Sequence, residues 1–307
     1  MPLPIEEILT ELVDDEKPIV NAWLVDLSHL TPEEIVLLEK TWPQIESERR
    51  RCIINLMVEM AEENPKLDYD SIFRSRLDDQ DDEVRSKAIE GLWESEDSSL
   101  INVFIDILEH DRSEIVQEAA AQTMGQFALM AELDQLPVDY KSRLGQALLN
   151  IFNDETRSVE VRRRALESLS PLSLPETNPA IDRAYYSGIP KMKNSAVYAM
   201  GRTCDPTWLD ILLEETGSNE TEIRYEVAQA CGEIGGIEAV PALAELVDDS
   251  DIEVQMATIR AMGKIGGAEA KEFLEKCLDD DNDAIAEAAQ KALDELTSDE
   301  DPFSLRF

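Results

Sequence analysis

Ile223-Arg-Tyr-Glu-Val227-Ala-Gln-Ala-Cys-Gly232-Glu-Ile-Gly-Gly236 is rewritten 31 residues later as Val254-Gln-Met-Ala-Thr258-Ile-Arg-Ala-Met-Gly263-Lys-Ile-Gly-Gly267. In each copy a buried-type anchor is followed at +4 by a second small or apolar residue and at +9 by glycine. Residues i and i+4 share one face of a helix, so both copies write the same buried stripe. Working outward, the anchors are Val84, Val116, Val161, Met192, Ile223, Val254 and Ile285, with steps of 32, 45, 31, 31, 31 and 31 residues. The +4 positions hold Ala88, Ala120, Ala165, Ala196, Val227, Thr258 and Ala289, and glycine stands at +9 in Gly125, Gly201, Gly232 and Gly263. A fixed step of this length marks a helical repeat array that grows in one dimension.

The charge balance is extreme, with 28 basic against 67 acidic residues and a formal net of −39. Such a field repels polyanions over long range, so neither nucleic acid nor an anionic membrane is an expected partner. Disorder, the other reading of high charge, loses because the 43% hydrophobic residues fall at helical spacing. No cofactor is implied. The cysteines, Cys52, Cys204, Cys231 and Cys277, form no C-x-x-C pair and read as reduced thiols. The N-terminus lacks the pattern of a signal peptide, and the expected location is cytoplasmic.

The expected architecture is all-α: a right-handed α-solenoid of about eight antiparallel helix pairs behind an N-terminal helical cap. The cap covers 1–31. Divergent pairs one to four fill 32–170 and a Pro-rich break follows at 171–180 (Pro171, Pro175, Pro179). Regular pairs five to eight fill 181–297, and 298–307 is a polar tail. Thr31-Pro32-Glu33-Glu34 carries the signs of a helix start, with Thr as N-cap, Pro at N1 and Glu closing a capping box. Gly235-Gly236 and Gly266-Gly267 stand where left-handed C-caps are wanted. Phe303, Leu305 and Phe307 in the tail read either as a frayed terminus or as a docking motif.

These units resemble HEAT repeats, in particular the short HEAT-like repeats of the phycobilisome-lyase type. Asp81-Asp82-Glu-Val84-Arg85-Ser-Lys-Ala88 is similar to the family's D-x-x-V-R-x-x-A opening. Ala230-Cys-Gly232-Glu-Ile234-Gly235 and Ala261-Met-Gly263-Lys-Ile265-Gly266 are similar to its A-L-G-x-I-G close. The resemblance covers about 68–296 and departs where Gln117, Lys193, Gln255 or Ala286 replaces the arginine, which interrupts any Asp–Arg ladder between repeats. It implies a solenoid used mainly for protein–protein interaction.

Chemistry-bearing motifs are sparse. The HEAT-type iron hydroxylases hold two metals through repeated His-Glu pairs, whereas here His29 precedes Leu30 and His110 precedes Asp111. That activity, and any nucleophile needing a histidine base, is not expected. Asp279-Asp280-Asp281-Asn282-Asp283 begins like a calcium loop, but Ala284 and Gln290 stand where glycine and glutamate are required, so helix capping is the better reading. No metal site and no catalytic residue is expected. Against the acidic background, Arg163, Arg164, Lys191, Lys193, Arg202 and Arg224 are interleaved with Tyr198 and Tyr225. On the second helix of each pair, positions +2, +3 and +6 from the anchor should face away from the core. These residues read either as a partner-binding patch, since Arg and Tyr are enriched at hot spots, or as charge compensation for neighbouring carboxylates.

The expected function is therefore a non-catalytic scaffold that binds a protein partner, basic or extended, along the solenoid. A second reading is an accessory or subunit of a chromophore lyase or isomerase-type enzyme. A third, binding of damaged DNA, would need a basic concave face.

Overall fold

The computed structural model describes residues 4–300, and the apolar tip Phe303–Phe307 lies outside them. Helices and short 3-10 turns make up the structure, with no strand among the described residues. The chain divides into two compact units, residues 1–168 and 169–307.

In the first unit, α1 (Ile5–Val13) and α2 (Asn21–Asp26) form the N-terminal cap. Four pairs follow: α3 (Pro32–Thr41) with α4 (Ser47–Glu63), α5 (Asp70–Arg76) with α6 (Asp82–Gly91), α7 (Ser99–His110) with α8 (Glu114–Glu132), and α9 (Val138–Asn153) with α10 (Val159–Leu169). The second unit holds α11 (Thr177–Tyr185) with α12 (Pro190–Arg202), α13 (Leu209–Glu215) with α14 (Thr221–Ile234), α15 (Val240–Leu246) with α16 (Ile252–Ile265), and α17 (Gly267–Cys277) with α18 (Asp283–Glu300). The wide step between Val116 and Val161 is taken up by the 19 residues of α8 and the 16 of α9.

All seven anchors and all seven +4 residues are buried, so the repeated stripe is the core. Thr258, the polar exception, donates its hydroxyl to Val254 O at 2.8 Å and leaves no unpaired group inside. The helix starts follow the local chemistry. Thr31 and Glu34 close the capping box reciprocally. Asp81 accepts from the Glu83 and Val84 amides, and Asp251 from the Glu253 amide. Gly235 ends α14 at φ 76°, a conformation that costs glycine least. The cap is tied to the first pair by Arg49, which donates to Leu12 O and Lys17 O, both at 2.7 Å.

Neighbouring second helices approach closely because of the +9 glycines. A Cβ on Gly201 would lie 2.6 Å from Ala230 Cα, and one on Gly232 would lie 2.8 Å from Ala261 Cα. On Gly263 it would meet Ala292 Cβ at 2.9 Å. Each glycine thus nests against the +7 alanine of the following repeat.

The residue after each anchor forms a second series. Arg85 reaches back to Asp79 O at 2.8 Å and forward to both Asp111 oxygens at 2.9 Å. Arg224 likewise joins Ser218 O at 2.9 Å and the two Asp249 oxygens at 2.6 and 2.9 Å. Gln117 and Gln255 keep only the backward bond, to Asp111 O and Asp249 O, because an amide is too short and uncharged to pair onward. Lys193 pairs with Glu215 at 2.7 Å instead. The ladder is therefore present in part, broken where arginine is missing.

Ladder carboxylates respond to acid. The Arg224 guanidinium holds the Asp249 carboxyl below its ordinary 3.8, and Arg51 does the same for Asp81. A group whose pKa is depressed by folding stabilises the native state fully above its unfolded value and loses that contribution as pH falls through the folded one. Thermal melts should therefore hold from pH 7 to 5 and drop steeply below about pH 4. Arg224→Met should flatten that acid limb, and an unchanged limb would show that this pair does not set it.

Candidate functional site: an acidic groove in the first unit

The second helices of the first unit leave a groove of about 800 Å³ along α4, α6 and α8, closed at one side by the Pro65–Asp70 segment. Its lining follows the repeat. Ser86, Lys87 and Glu90 on α6, and Glu118, Ala119 and Gln122 on α8, are the +2, +3 and +6 positions of their helices, and Arg164 is the +3 position of α10. The floor is apolar, built from Val58, Tyr69, Phe73 and Ala119. Tyr69 and Phe73 meet edge-to-face with centroids 6.0 Å apart. Gly91 allows this floor, since a Cβ there would strike the Phe73 ring at 2.5 Å. The Tyr69 hydroxyl donates to Leu24 O at 3.0 Å, and burial pushes its pKa up to about 12, so it stays a neutral wall group.

The rim carries Glu62, Asp70, Glu83, Glu90, Glu94 and Glu118 against Lys87 and Arg164. Glu83 pairs with Arg51 at 2.8 Å, Glu90 with Lys87, and Glu118 with Arg164 at 3.3 Å. Glu62, Asp70 and Glu94 have no ion-pair partner among the described residues. Trp93, 46% exposed, presents a large aromatic surface beside them. Asn55 Oδ1 is buried in the wall with no hydrogen-bond donor among the described residues. The arrangement is a cation-accepting groove: unpaired carboxylates attract an ammonium group, an indole face can stack on it, and the apolar floor takes its alkyl chain.

The residues singled out in the sequence lie partly elsewhere. Arg163 and Arg164 are in the first unit, where Arg163 pairs with Glu160, Glu167 and Glu118 and Arg164 bridges Glu118 and Glu167. Only Arg164 of the set lines the groove. The other six are in the second unit. Lys193 pairs with Glu215 and lies 5.1 Å from the Tyr185 ring centre, Arg202 is 3.8 Å from Glu233, and Arg224 belongs to the ladder. Lys191 and Tyr198 are exposed on α12, and Tyr225 is half-buried on α14.

One groove residue carries a signal legible in the sequence: Trp93 occupies the +9 position from Val84, where four other repeats hold glycine. The bare carboxylates had none, being indistinguishable from the other acids.

A family model described as HEAT repeats matches residues 71–137 and 209–294. The chain carries HEAT repeats. A deoxyhypusine hydroxylase of Drosophila pseudoobscura pseudoobscura is 31% identical over 107 residues, 34% of this chain and 35% of that protein. The protein of the same name from Candida albicans is 26% identical over 107 residues, again 34% of each. The HEAT-repeat chain thus spans about a third of the length of the curated relatives it matches. Among solved structures, the CpcE–CpcF complex of phycocyanin lyase from Nostoc sp. PCC7120 superposes with TM-score 0.54 at 16% identity, over 92% of this chain and 99% of that one. That likeness is one of fold.

These relatives correct one expectation. The solenoid and the shortage of histidine point to a non-catalytic scaffold, yet the matched relatives are enzymes by name. The physical reason is that one repeat frame serves binding proteins and enzymes alike, so periodicity alone does not separate them. No helix among the described residues is long and apolar enough to cross a membrane.

Proposed function

We propose that this HEAT-repeat chain is an enzyme, or the substrate-holding part of one, that acts on a cationic, amine-bearing side chain received in the groove of the first unit. The observation that carries this reading is the set of three unpaired carboxylates, Glu62, Asp70 and Glu94, around the exposed Trp93 over an apolar floor. The partial match to proteins named deoxyhypusine hydroxylase supports an enzyme rather than an inert binder. The net charge of −39 adds long-range steering of cations. Four free cysteines suit a reducing compartment such as the cytoplasm.

Calorimetric titration with spermidine and with a lysine-rich peptide tests the site. The expected result is binding in the micromolar range at low salt, weakened about tenfold when Glu62→Gln, Asp70→Asn and Glu94→Gln are combined. The melting temperature should hold, because none of these carboxylates is in an ion pair among the described residues. A control with Glu222→Gln, Glu253→Gln and Glu269→Gln removes the same charge from the second unit and should bind as the parent does. Equal weakening in both variants would reduce the binding to general electrostatics and reject the groove.

A further inference from the structure

A transition-metal centre needs three or more nitrogen, oxygen or sulfur donors converging within about 2.0–2.3 Å of one point, with imidazole the commonest ligand. The repeat class that includes iron hydroxylases implies such a centre, so the donors of this chain bear directly on it. Both histidines are in the first unit and on different elements. His29 follows α2, with Nε2 3.1 Å from Lys66 O and Nδ1 3.4 Å from Asp68. His110 ends α7, with Nδ1 3.1 Å from Asp106 O. The second unit has no histidine.

Sulfur does not fill the gap. Burial pushes the Cys231 thiol up to about 12 and raises that of Cys277, which keeps both protonated and poor ligands. Cys52 and Cys204 are exposed and lie in different units. Carboxylates are abundant but spread: among the described residues no group of three or more His, Cys, Asp or Glu is placed to hold a metal ion. Within the groove, Glu83, Glu90 and Glu118 are already engaged by Arg51, Lys87 and Arg164, and Glu62, Asp70 and Glu94, though without ion pairs, are not grouped so as to hold a metal ion. The donor set does not fit iron.

The same groove is suited to a different cation. Trp93, 46% exposed, offers a π-face on which an ammonium group can stack. We infer that this chain has no resident transition-metal centre and engages an ammonium group in the groove without one. The second half of this inference rests on the proposed amine substrate; the first does not.

The test uses the full chain, with any histidine tag removed. It is incubated anaerobically with Fe(II), and separately with Co(II), then desalted and assayed for bound metal. Spermidine titrations are run in parallel with and without a chelator. The expected results are metal far below one ion per chain, no cobalt ligand-field bands beyond those of the aqueous ion, and spermidine affinity unchanged within about twofold by the chelator. One or more tightly held ions per chain would overturn the inference, as would a tenfold loss of spermidine binding on chelation. Absence of spermidine binding under both conditions would reject the amine reading, and metal content would then decide the remaining half alone.

Discussion

Gly232→Leu is expected to unfold the second unit at temperatures where the parent is native. The Cβ alone would sit 2.8 Å from Ala261 Cα, against backbone that cannot rotate away, and the longer side chain has no room between α14 and α16. Replacing a helical glycine normally gains about 1 kcal/mol from propensity. Overpacking a tight contact costs about 1–3 kcal/mol or more, so Gly232→Ala should be destabilising by a smaller margin and Gly232→Leu should approach or exceed the upper figure. Gly201→Ala, at 2.6 Å from Ala230 Cα, should behave in the same way. Gly217 has nothing within 4 Å of a built Cβ, so Gly217→Ala is the control and should be neutral. Urea unfolding curves check this: a Gly232→Ala protein as stable as the Gly217→Ala protein would show that the helices can separate without cost.

The second large effect concerns the ladder. Asp249→Ala leaves Arg224, whose side chain is 13% exposed, without its carboxylate. It also deletes the acceptor for the Asp251 amide at 2.9 Å, at the start of α16. Removing one partner of a buried pair costs about 3–5 kcal/mol because the other charge stays buried and unpaired. Arg224→Met leaves the Asp249 carboxylate, 5% exposed, without its guanidinium and should also be strongly destabilising, eased only by the Asp251 amide that Asp249 still accepts from. The double variant Arg224→Met with Asp249→Leu should recover most of the loss. A double variant no more stable than Asp249→Ala would mean that the pair's geometry, rather than an unpaired charge, carries the effect.

Much of the fold was legible where independent signals agreed. The buried stripe from Val84 to Ile285 was periodic, Thr31 and Glu34 marked a cap, and Gly235 marked a stop. The partial ladder could be anticipated from Gln117, Lys193 and Gln255, although the backward bond that glutamine retains could not, since it depends on a carbonyl six residues upstream. The groove was legible only as a rule. Positions +2, +3 and +6 of α6 and α8 face it, whereas the cationic residues that stand out in the sequence are on α10, α12 and α14. Arg163 and Arg164 are rare cations on an acidic surface, and such residues are the ones most readily engaged by carboxylates. Glu62 and Asp70 come from outside the repeat stripe, one near the end of α4 and one at the start of α5. Only the packing of those helices brings them to the same groove as Glu94.

The central claim is that the groove of the first unit receives an amine. Zero-length carbodiimide coupling of spermidine to the full chain, at low conversion and with sites located by peptide mass spectrometry, tests it most directly, because only carboxylates in contact with the amine react first. The predicted result is early modification at Glu62, Asp70 and Glu94, suppressed by excess lysine-rich peptide. Modification scattered over the acidic surface of both units, or concentrated in the second, would contradict it.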